Sequence, residues 1–577
     1  MNGDNAISGV GRIMDAFIPA SEFAGSKDGY IYFAGSKGLG YYLDNDSLNG
    51  AINQSNPIEL QINHHKLLRQ TPEELLEEAE SQAKASSETV ITLDNNGASK
   101  AAHALIKAYQ LNQLQRSKYA DLPEKYMASE VDLYDALTAI QSLAANTTLY
   151  GNLTIVSGPN EISAANVMIQ CLAHENLDVV TAALETWNEL VDSNIINLEE
   201  NQDQQQSSLA RTNICILASY YLNHQGIELL CASLSRLEFQ DMERYGNNLK
   251  FDSDMYKRGM EGILSLLETL LELDHSGDLR NSSGKKQSVY ISVVSRLWSS
   301  SPTLLTCLLE RVGGQGRNRE SLTVDMDALT HSAAEILATV MQNDDTSLYC
   351  GDKFIQMPTL KAVEEDSKQP PLKKLKANRK NVAVDGVEML LQAVAIFRTR
   401  DPLTASECEY CENCLDAIAA SLLQGGTRIV SHFLKLEGLE LMLRLTRSKF
   451  HAGHGALRVI NFCLSGSTKD RQHTVIEDAC AQLVDSGGLK LIFPIIMGKA
   501  ASIPIPAKCT DAGQDLKNIS SPKKIKRIKN AKKEWRNQVE SNSLFCLYAL
   551  TRFLKDSSPF DSKTRLLAKF VEGDCVS

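Results

Sequence analysis

A glycine followed by apolar residues at positions +1, +4, +5 and +8 recurs along the chain. Gly226, Gly386 and Gly488 begin this template in full, and Gly438 begins it but has Thr446 at the last position. Apolar residues at this spacing share one side of an α-helix, and glycine suits the sharp turn between stacked helices. The template therefore predicts a series of helices that each bury one side.

The spacing of these glycines indicates a tandem repeat. Gly386, Gly438 and Gly488 are about 50 residues apart, close to the roughly 40–47 residues of armadillo and HEAT units. The longer interval from Gly226 to Gly386 has room for about three units. One unit cannot bury its own apolar stripe, whereas stacked neighbours can. We predict an all-α, armadillo/HEAT-like right-handed solenoid of stacked helices with a concave face.

Further amphipathic segments accompany the glycine-led helices. One of them begins near residue 97 and ends near Lys118, and others lie between or after the template glycines. The residues expected on their apolar sides are Leu105, Ala108, Leu111 and Leu114; Ile162, Ala165, Ile169 and Leu172; Val180, Ala183, Leu184, Trp187 and Val191; Cys411, Cys414, Leu415, Ile418 and Leu422; Leu457, Ile460 and Leu464; and Leu544, Leu547, Tyr548 and Leu554.

The composition changes near residue 60. Residues 1–60 are rich in Gly, Asn and Ser without a helical period, which predicts a disordered N-terminal tail. We expect an N-terminal helical segment over 61–128 and the armadillo-like repeat array over 129–577. Loop insertions are predicted near 198–208, 343–381 and 500–536.

A short aromatic and glycine-rich motif lies inside the predicted tail. Its candidate partner-docking residues are Phe23, Gly29, Tyr30, Gly40 and Tyr41. The alternatives are a plain Gly-rich tail or a small hairpin. Because the nearby glycines neither follow a clear strand nor open a helix, a nucleotide-binding loop is not indicated.

The charge balance favours basic partners. Lys and Arg number 59 against 71 Asp and Glu, a formal net charge of −12. Such a chain is a poor candidate for wrapping nucleic acid and a reasonable one for holding basic peptides. The 13 cysteines form no visible disulfide framework, which suits a reducing compartment. We see neither a signal peptide nor a membrane-spanning run.

Two clusters of basic residues are candidate nuclear localisation signals. They comprise Lys373, Lys374, Lys376, Arg379 and Lys380 after two prolines, and Lys523, Lys524, Lys526 and Arg527 after Ser521-Pro522. Such clusters also contact RNA phosphates or simply form solvated loops. We favour an import signal for the first cluster, with the second cluster as the candidate for a further signal, and so predict a nuclear protein.

No combination of residues indicates catalysis. Cys408, Cys411 and Cys414 have the spacing that begins an iron–sulfur or zinc site, but the expected fourth cysteine is replaced by Ile418. Two of the three lie on an apolar helical stripe, so we expect them to be small core side chains. No catalytic motif is present around a nucleophile. We predict a non-enzyme without metal or cofactor.

Five segments resemble one known family. They are residues 124–133, 437–442, 487–494, 521–526 and 565–570, and they occur in the same order as in the beta-catenin-like protein 1 family. The resemblance covers roughly residues 61–574 and is weakest over about 240–380. It includes a proline inside a helical stripe, Pro494, which is unusual on first principles.

The resemblance implies a nuclear armadillo-repeat scaffold of the spliceosome-associated NineTeen complex. Members of this family bind basic, nuclear-localisation-type segments of splicing factors in pre-mRNA splicing. The family continues beyond the segment at 565–570, so we expect the array to lack the family's C-terminal units. RNA contact is expected to be at most indirect, and no membrane is implied.

The alternative is an importin-α-like nuclear import adaptor or another armadillo adaptor. Import carriers of that type line their groove with repeated Trp and Asn, and the three tryptophans here, Trp187, Trp298 and Trp535, form no such ladder. Since the cations cluster in predicted insertions, the helical body should be more acidic than the whole chain. The concave surface is therefore predicted to attract Lys/Arg-rich peptides.

Overall fold

A computed structural model describes most of the chain from residue 94 onward and three short strands before it. The described residues are 17–19, 30–35, 38–43, 94–156, 162–192, 204–245, 254–282, 291–314, 327–358, 383–448, 451–465, 473–497, 521–554 and 560–572. The chain divides into two units, Met1–Val90 and Ile91–Ser577.

The first unit contains a three-stranded antiparallel sheet. Its strands are β1 (Phe17–Pro19), β2 (Tyr30–Gly35) and β3 (Gly38–Leu43), in the order β1-β3-β2. These strands lie within the segment for which a disordered tail is predicted. The aromatic and β-branched run of β2 favours a strand, and the glycine-rich composition concealed it. The small-hairpin alternative describes the pairing of β2 with β3.

The second unit is built from α-helices joined by short 3-10 turns. The α-helices are α1 (Asn95–Lys118), α2 (Met127–Gln141), α3 (Gly151–Thr154), α4 (Ala164–Cys171), α5 (Leu177–Val191), α6 (Gln204–Asn223), α7 (Gly226–Tyr245), α8 (Asp254–His275), α9 (Asp278–Ser282), α10 (Val293–Ser300), α11 (Pro302–Gly314), α12 (Ala328–Gln342), α13 (Asp352–Ile355), α14 (Gly386–Ala395), α15 (Ala405–Gln424), α16 (Gly426–Lys435), α17 (Gly438–Arg447), α18 (Ala452–Ser465), α19 (His473–Asp485), α20 (Leu489–Ile496), α21 (Pro522–Phe553) and α22 (Phe560–Glu572). The prediction of an all-α solenoid of stacked helices is confirmed for this unit.

One helix from each successive unit packs on its counterpart in the next. Helices α2, α5, α8, α12, α15, α18 and α21 contact one another in this order, and we call them the ladder. The remaining helices pack beside the ladder and between its members. A single hydrophobic cluster runs from Ala98 in α1 to Leu566 in α22. The core is therefore shared between neighbouring units, as stacked repeats require.

The template glycines begin their helices, but for a different reason from the one predicted. None of the four has a positive φ; the left-handed positions are the residues just before three of them, Gln225, Glu437 and Gly487. Each template glycine instead lies against a large side chain. A Cβ atom on Gly438 would stand 2.4 Å from Cε2 of Phe433, and one on Gly226 would stand 2.4 Å from Cε1 of Tyr221. Glycine is thus required for close approach rather than for backbone conformation.

Most of the predicted apolar stripes are buried, with exceptions in two helices. The stripes of α5, α15 and α18 are buried throughout. Leu111 and Leu114 in α1 are 39% and 65% exposed, and Leu544 and Tyr548 in α21 are 54% and 59% exposed. These four predictions are wrong because both helices contain apolar residues on two sides, and the neighbouring helix covers the other side. In α21 the buried side contains Val539, Cys546, Ala549, Leu550 and Phe553.

All three of the predicted insertion loops are partly helical. Helix α6 includes the end of the segment at 198–208. Helix α21 begins at Pro522, so the second half of the segment at 500–536 is helix and not loop. The proline occupies the first helical turn, where it is tolerated, and an apolar stripe through Ile525, Ile528 and Trp535 gives the segment a side to bury.

The insertion at 343–381 has closely fixed ends. It contains a 3-10 turn, Asp344–Leu348, and helix α13. Met357 and Val384 form an isolated antiparallel bridge, with N–O distances of 2.9 and 3.0 Å. A Cβ atom on Gly386 would stand 2.3 Å from Cε2 of Phe354. The two sides of the insertion are therefore joined by the bridge and by the contact of an aromatic ring with a glycine.

Within the described residues, no single helix combines the length and apolar content needed to cross a bilayer. The bent pair Thr474–Asp485 and Leu489–Ile496 meets that criterion only when its two parts are taken together.

The contact between Gly438 and Phe433 gives a first prediction. Gly438→Ala should lower the midpoint of urea unfolding by the equivalent of about 1–3 kcal/mol, because the added methyl overlaps the ring and forces a shift. The matched control is Gly151→Ala, since a Cβ atom there meets nothing within 4 Å. Equal midpoints for the two variants would show that the ring moves away freely.

Candidate functional site

The ladder helices differ strongly in charge from one end to the other. Helices α2, α5 and α15 contain three, three and four acidic residues and no Lys or Arg. Helix α8 contains five acidic residues against two basic ones. At the far end, α21 contains nine Lys or Arg against two Glu. The ladder is therefore acidic from α2 to α15 and basic in α21.

Polar side chains join the ladder helices across their exposed side. Arg258 of α8 binds Glu185 of α5 at 2.6 Å. His331 of α12 lies 2.9 Å from Glu409 of α15, and Arg458 of α18 pairs with Asp416 of α15. These pairs link α5 to α8, α12 to α15 and α15 to α18, and the polar residues form a strip along this side of the ladder. Its exposed carboxylates are those of Asp132, Asp135, Glu189, Glu261, Glu272, Glu335 and Glu409, and we call this strip the acidic face.

A cavity of about 340 Å³ opens on the acidic face between α8 and α12. Its charged and titratable lining consists of Glu268, Glu272 and His275 from α8 and Glu335 from α12. The remaining lining is apolar or hydroxyl-bearing, from Leu271, Ile336 and Thr339. Three carboxylates surround a space that suits the end of a long side chain. We call this cavity the acidic pocket.

Glu268 is the least satisfied group of the acidic pocket. Its Oε1 is buried and has no hydrogen-bond partner among the described residues. Burial raises the pKa of Glu268, and the negative charge of Glu335 raises it further, while a hydrogen bond with Ser332 acts in the opposite direction. A buried carboxylate oxygen without a donor is costly. An ammonium or guanidinium group entering the pocket would supply both the donor and the opposite charge.

The raised pKa of Glu268 predicts pH-dependent cation binding. A cation binds the ionised carboxylate, so affinity for a Lys-containing peptide should fall as the pH is lowered from neutral into the acidic range and Glu268 becomes protonated. Titration calorimetry across this range measures the effect. Glu268→Gln should flatten the profile. A profile that is unchanged in this variant would place the titrating group elsewhere.

The candidate import signals have different positions in the structure. Lys373, Lys374, Lys376, Arg379 and Lys380 lie outside the described residues. Lys523, Lys524, Lys526 and Arg527 lie in the first two turns of α21 and are exposed. Binding to an import receptor in an extended conformation would require these turns to unfold. The assignment of both clusters as import signals stays a prediction.

The docking-motif residues lie in the first unit. Tyr30 is in β2, and Gly40 and Tyr41 are in β3, where Tyr41 pairs with Tyr32 and Gly40 with Phe33. Phe23 and Gly29 lie outside the described residues. The backbone of the motif is thus partly engaged in its own sheet, and a docking role for it stays a prediction.

The cysteine triplet lies in the core of α15. Cys408, Cys411 and Cys414 are all buried. Burial raises the pKa of the Cys414 thiol to about 12 and that of Cys411 well above its ordinary value, so both are protonated and poor metal ligands. In the described part of the chain, no three His, Cys, Asp or Glu side chains are grouped as a metal site requires.

The acidic pocket was not identified from the sequence. Glu268 and Glu272 are four residues apart and so share a side of α8, which is a visible but common pattern. Glu335 lies beside them only because α12 follows α8 in the ladder. The order of the helices could not be predicted there, because the glycine template does not recur between Gly226 and Gly386. The acidic charge of the helical body was the only signal that pointed in this direction.

Stacked helices, a shared core and a polar exposed strip define the class of armadillo-type helical-repeat proteins. The particular family is shown by sequence comparison. The chain belongs to the family described as "Catenin-beta-like, Arm-motif containing nuclear", whose model matches residues 73–350 and 369–577. The resemblance noted in the sequence is thereby confirmed.

Several curated relatives have the corresponding name. "Beta-catenin-like protein 1" of Bos taurus and that of Homo sapiens are each 26% identical to this chain over 483 residues, which is 84% of this chain and 64% of the relative. The homolog of Schizosaccharomyces pombe is 24% identical over 398 residues, which is 69% of this chain and 54% of the relative. The chain thus spans less than two thirds of the length of the relatives it matches. An engineered protein of known structure covers 77% of this chain with a TM-score of 0.20, which is too low to support an argument.

Proposed function

We propose that this protein is a non-enzymatic nuclear scaffold whose acidic face binds Lys/Arg-rich segments of partner proteins. The observation that supports this most directly is the acidic pocket, where the buried Glu268 Oε1 has no hydrogen-bond donor in the part of the chain that the structure describes. A Lys or Arg side chain has the length to enter the pocket and the hydrogen-bond donors to satisfy its carboxylates. Neighbouring carboxylates on α5 and α15 extend the attraction along a peptide.

We further propose that these partners are splicing factors and members of the NineTeen complex. The support is the family membership, since the family description includes an Arm motif and a nuclear setting. Basic segments that resemble import signals suit the charge of the acidic face, because opposite potentials accelerate encounter and are screened by salt. The function therefore belongs to pre-mRNA splicing and involves no chemical step.

The import-adaptor alternative is less well supported. Trp187 and Trp298 are buried, with exposures of 0% and 1%, and Trp535 packs against the core. None of these rings is on an exposed strip where it would flank a bound lysine. In the acidic pocket a lysine would contact carboxylates, whereas in the groove of an import adaptor it would lie between indole rings.

Calorimetry on the full chain tests the proposal. A Lys-rich peptide from a splicing factor should bind at low salt and weaken several-fold at physiological salt, because exposed charge pairs are screened. The same peptide with its lysines changed to alanine should not bind. Failure of the basic peptide to bind at low salt would refute basic-segment recognition. If every basic peptide binds equally well, whatever its source, recognition of basic segments is retained but the proposed link to splicing factors is refuted.

Nuclear entry should depend on the cations at 373–380. Replacing Lys373, Lys374, Lys376, Arg379 and Lys380 by alanine in a fluorescent fusion should move most of the signal to the cytoplasm, since import receptors require clustered cations. The comparison is the same fusion with Lys523, Lys524, Lys526 and Arg527 replaced, which should change less because these residues are in a helix. A fusion that remains nuclear after both sets are removed would indicate entry with a partner.

A further inference from the structure

The first half of α21 contains an unusually dense group of cations. Eight of the fifteen residues from 522 to 536 are Lys or Arg, and Glu534 is the only acid among them. This segment was expected to be a loop, where such a run has no defined geometry. As a helix, it presents its cations in a fixed arrangement.

Five of these cations lie along one side of the helix. Lys523, Lys526, Lys529, Lys533 and Arg536 are exposed and follow one another at intervals of three or four residues, which places them in a row about 20 Å long. We call this row the basic stripe. The opposite side is anchored, since Ile528 and Val539 are fully buried and Trp535 packs against the core.

We infer that the basic stripe binds the phosphate backbone of a nucleic acid duplex without reading its sequence. A straight row of cations suits this ligand because the phosphates of a duplex form a row of regularly spaced negative charges along a rigid edge. Each Lys or Arg that neutralises a phosphate releases counterions and adds to affinity. This site is separate from the acidic pocket and does not depend on the function proposed for it.

The surroundings of the basic stripe favour phosphates over an acidic protein. No large apolar side chain is exposed on α21 before Leu544, and the other exposed polar residues between the cations are one acid, Glu534, and amides such as Asn530 and Asn537. Protein interfaces depend on buried aromatic or aliphatic anchors, whereas phosphate contacts need only cations and donors. The same lack of an exposed ring argues against stacking of single-stranded bases and so favours a duplex.

The cations of the basic stripe destabilise the start of α21, and the packing of the helix does not explain why they are there. The first turn of α21 contains no acid, although acids there would favour the helix dipole and the cations present oppose it. Like charges three or four residues apart also repel. Local rules are broken in this way mainly at functional sites. The acidic net charge of the whole chain is compatible with binding, because at physiological salt exposed charges more than about 8 Å from a phosphate are largely screened.

Fluorescence anisotropy on the full chain tests this inference at low and physiological salt. The labelled probes are a short RNA duplex, a DNA duplex of the same sequence and a poly-glutamate peptide. The test variant combines Lys526→Gln, Lys529→Gln and Lys533→Gln. The control combines Lys100→Gln, Lys107→Gln and Lys490→Gln, which removes the same charge from other exposed helical positions. Circular dichroism confirms that both variants remain folded.

The stripe variant should bind duplex at least tenfold more weakly at low salt, and its slope of log K against log salt should fall by about 2–3 because up to three phosphate contacts are lost. The control variant should bind as the unmodified chain does. Binding of either duplex in this pattern supports the inference, and the better probe identifies RNA or DNA as the source of the phosphates. Equal loss in both variants, no binding of either duplex, or binding of poly-glutamate alone would overturn it.

Discussion

Replacing Glu268, Glu272 and Glu335 together by glutamine is expected to weaken binding of a Lys-rich peptide by tenfold to a hundredfold at physiological salt. Glutamine keeps the shape of each side chain and removes the charge that attracts a cation. One charge-assisted hydrogen bond contributes about 1.5–3 kcal/mol, and about 1.4 kcal/mol corresponds to tenfold in affinity. The measurement is calorimetric titration of the full chain with the peptide used to establish binding.

A matched variant distinguishes the acidic pocket from general charge. Asp132→Asn, Asp135→Asn and Glu189→Gln also remove three negative charges from the ladder, but at exposed positions of α2 and α5 that do not line the pocket. This variant should lose no more than about threefold, since exposed pairs contribute little. Equal losses in the two variants would mean that the acidic face attracts peptides as a diffuse field and that the pocket has no special role.

Trp187→Ala is expected to destabilise the protein by about 3–5 kcal/mol, because a large buried side chain is lost and a cavity remains. The indole is fully buried in α5, and its ring meets that of Tyr221 edge-on with centroids 4.8 Å apart. The midpoint of urea unfolding, followed by circular dichroism, measures the change in the free energy of unfolding.

Two further substitutions control for this interpretation. Trp187→Phe should cost far less, since most of the volume is retained and the indole N–H, which has no hydrogen-bond partner in the described part of the chain, is removed. Leu114→Ala should change stability by no more than about 0.5 kcal/mol, because an exposed side chain loses few contacts. A large effect at Leu114 would mean that something covers this side of α1 in solution.

Helical periodicity predicts the repeat well because it is a local property. The stripes of α5, α15 and α18 need only the residues of one helix to be recognised. Burial in α1 and α21 depends on which of two apolar sides meets a neighbour, and the sequence of one helix does not contain that information. This is why Leu114 and Tyr548 were assigned to the wrong side.

The functional sites were incompletely predicted for the same reason, because they depend on how one helix packs against another. The basic run after Pro522 was interpreted by its charge, although Ile525, Ile528 and Trp535 already gave it a helical stripe. The acidic pocket needs the packing of α8 against α12, whose contributing residues are at least 60 positions apart. Only the sign of the charge on the helical body could be predicted, since it follows from composition alone.

The paired ends of the insertion at 343–381 have a consequence for how this chain tolerates changes in length. The bridge between Met357 and Val384 and the ring of Phe354 on Gly386 keep the two flanking helices in register whatever lies between them. Closing a flexible loop becomes only about 0.6 kcal/mol more costly with each doubling of its length. A reporter domain inserted between residues 359 and 382 should therefore leave the melting temperature of the repeat array almost unchanged.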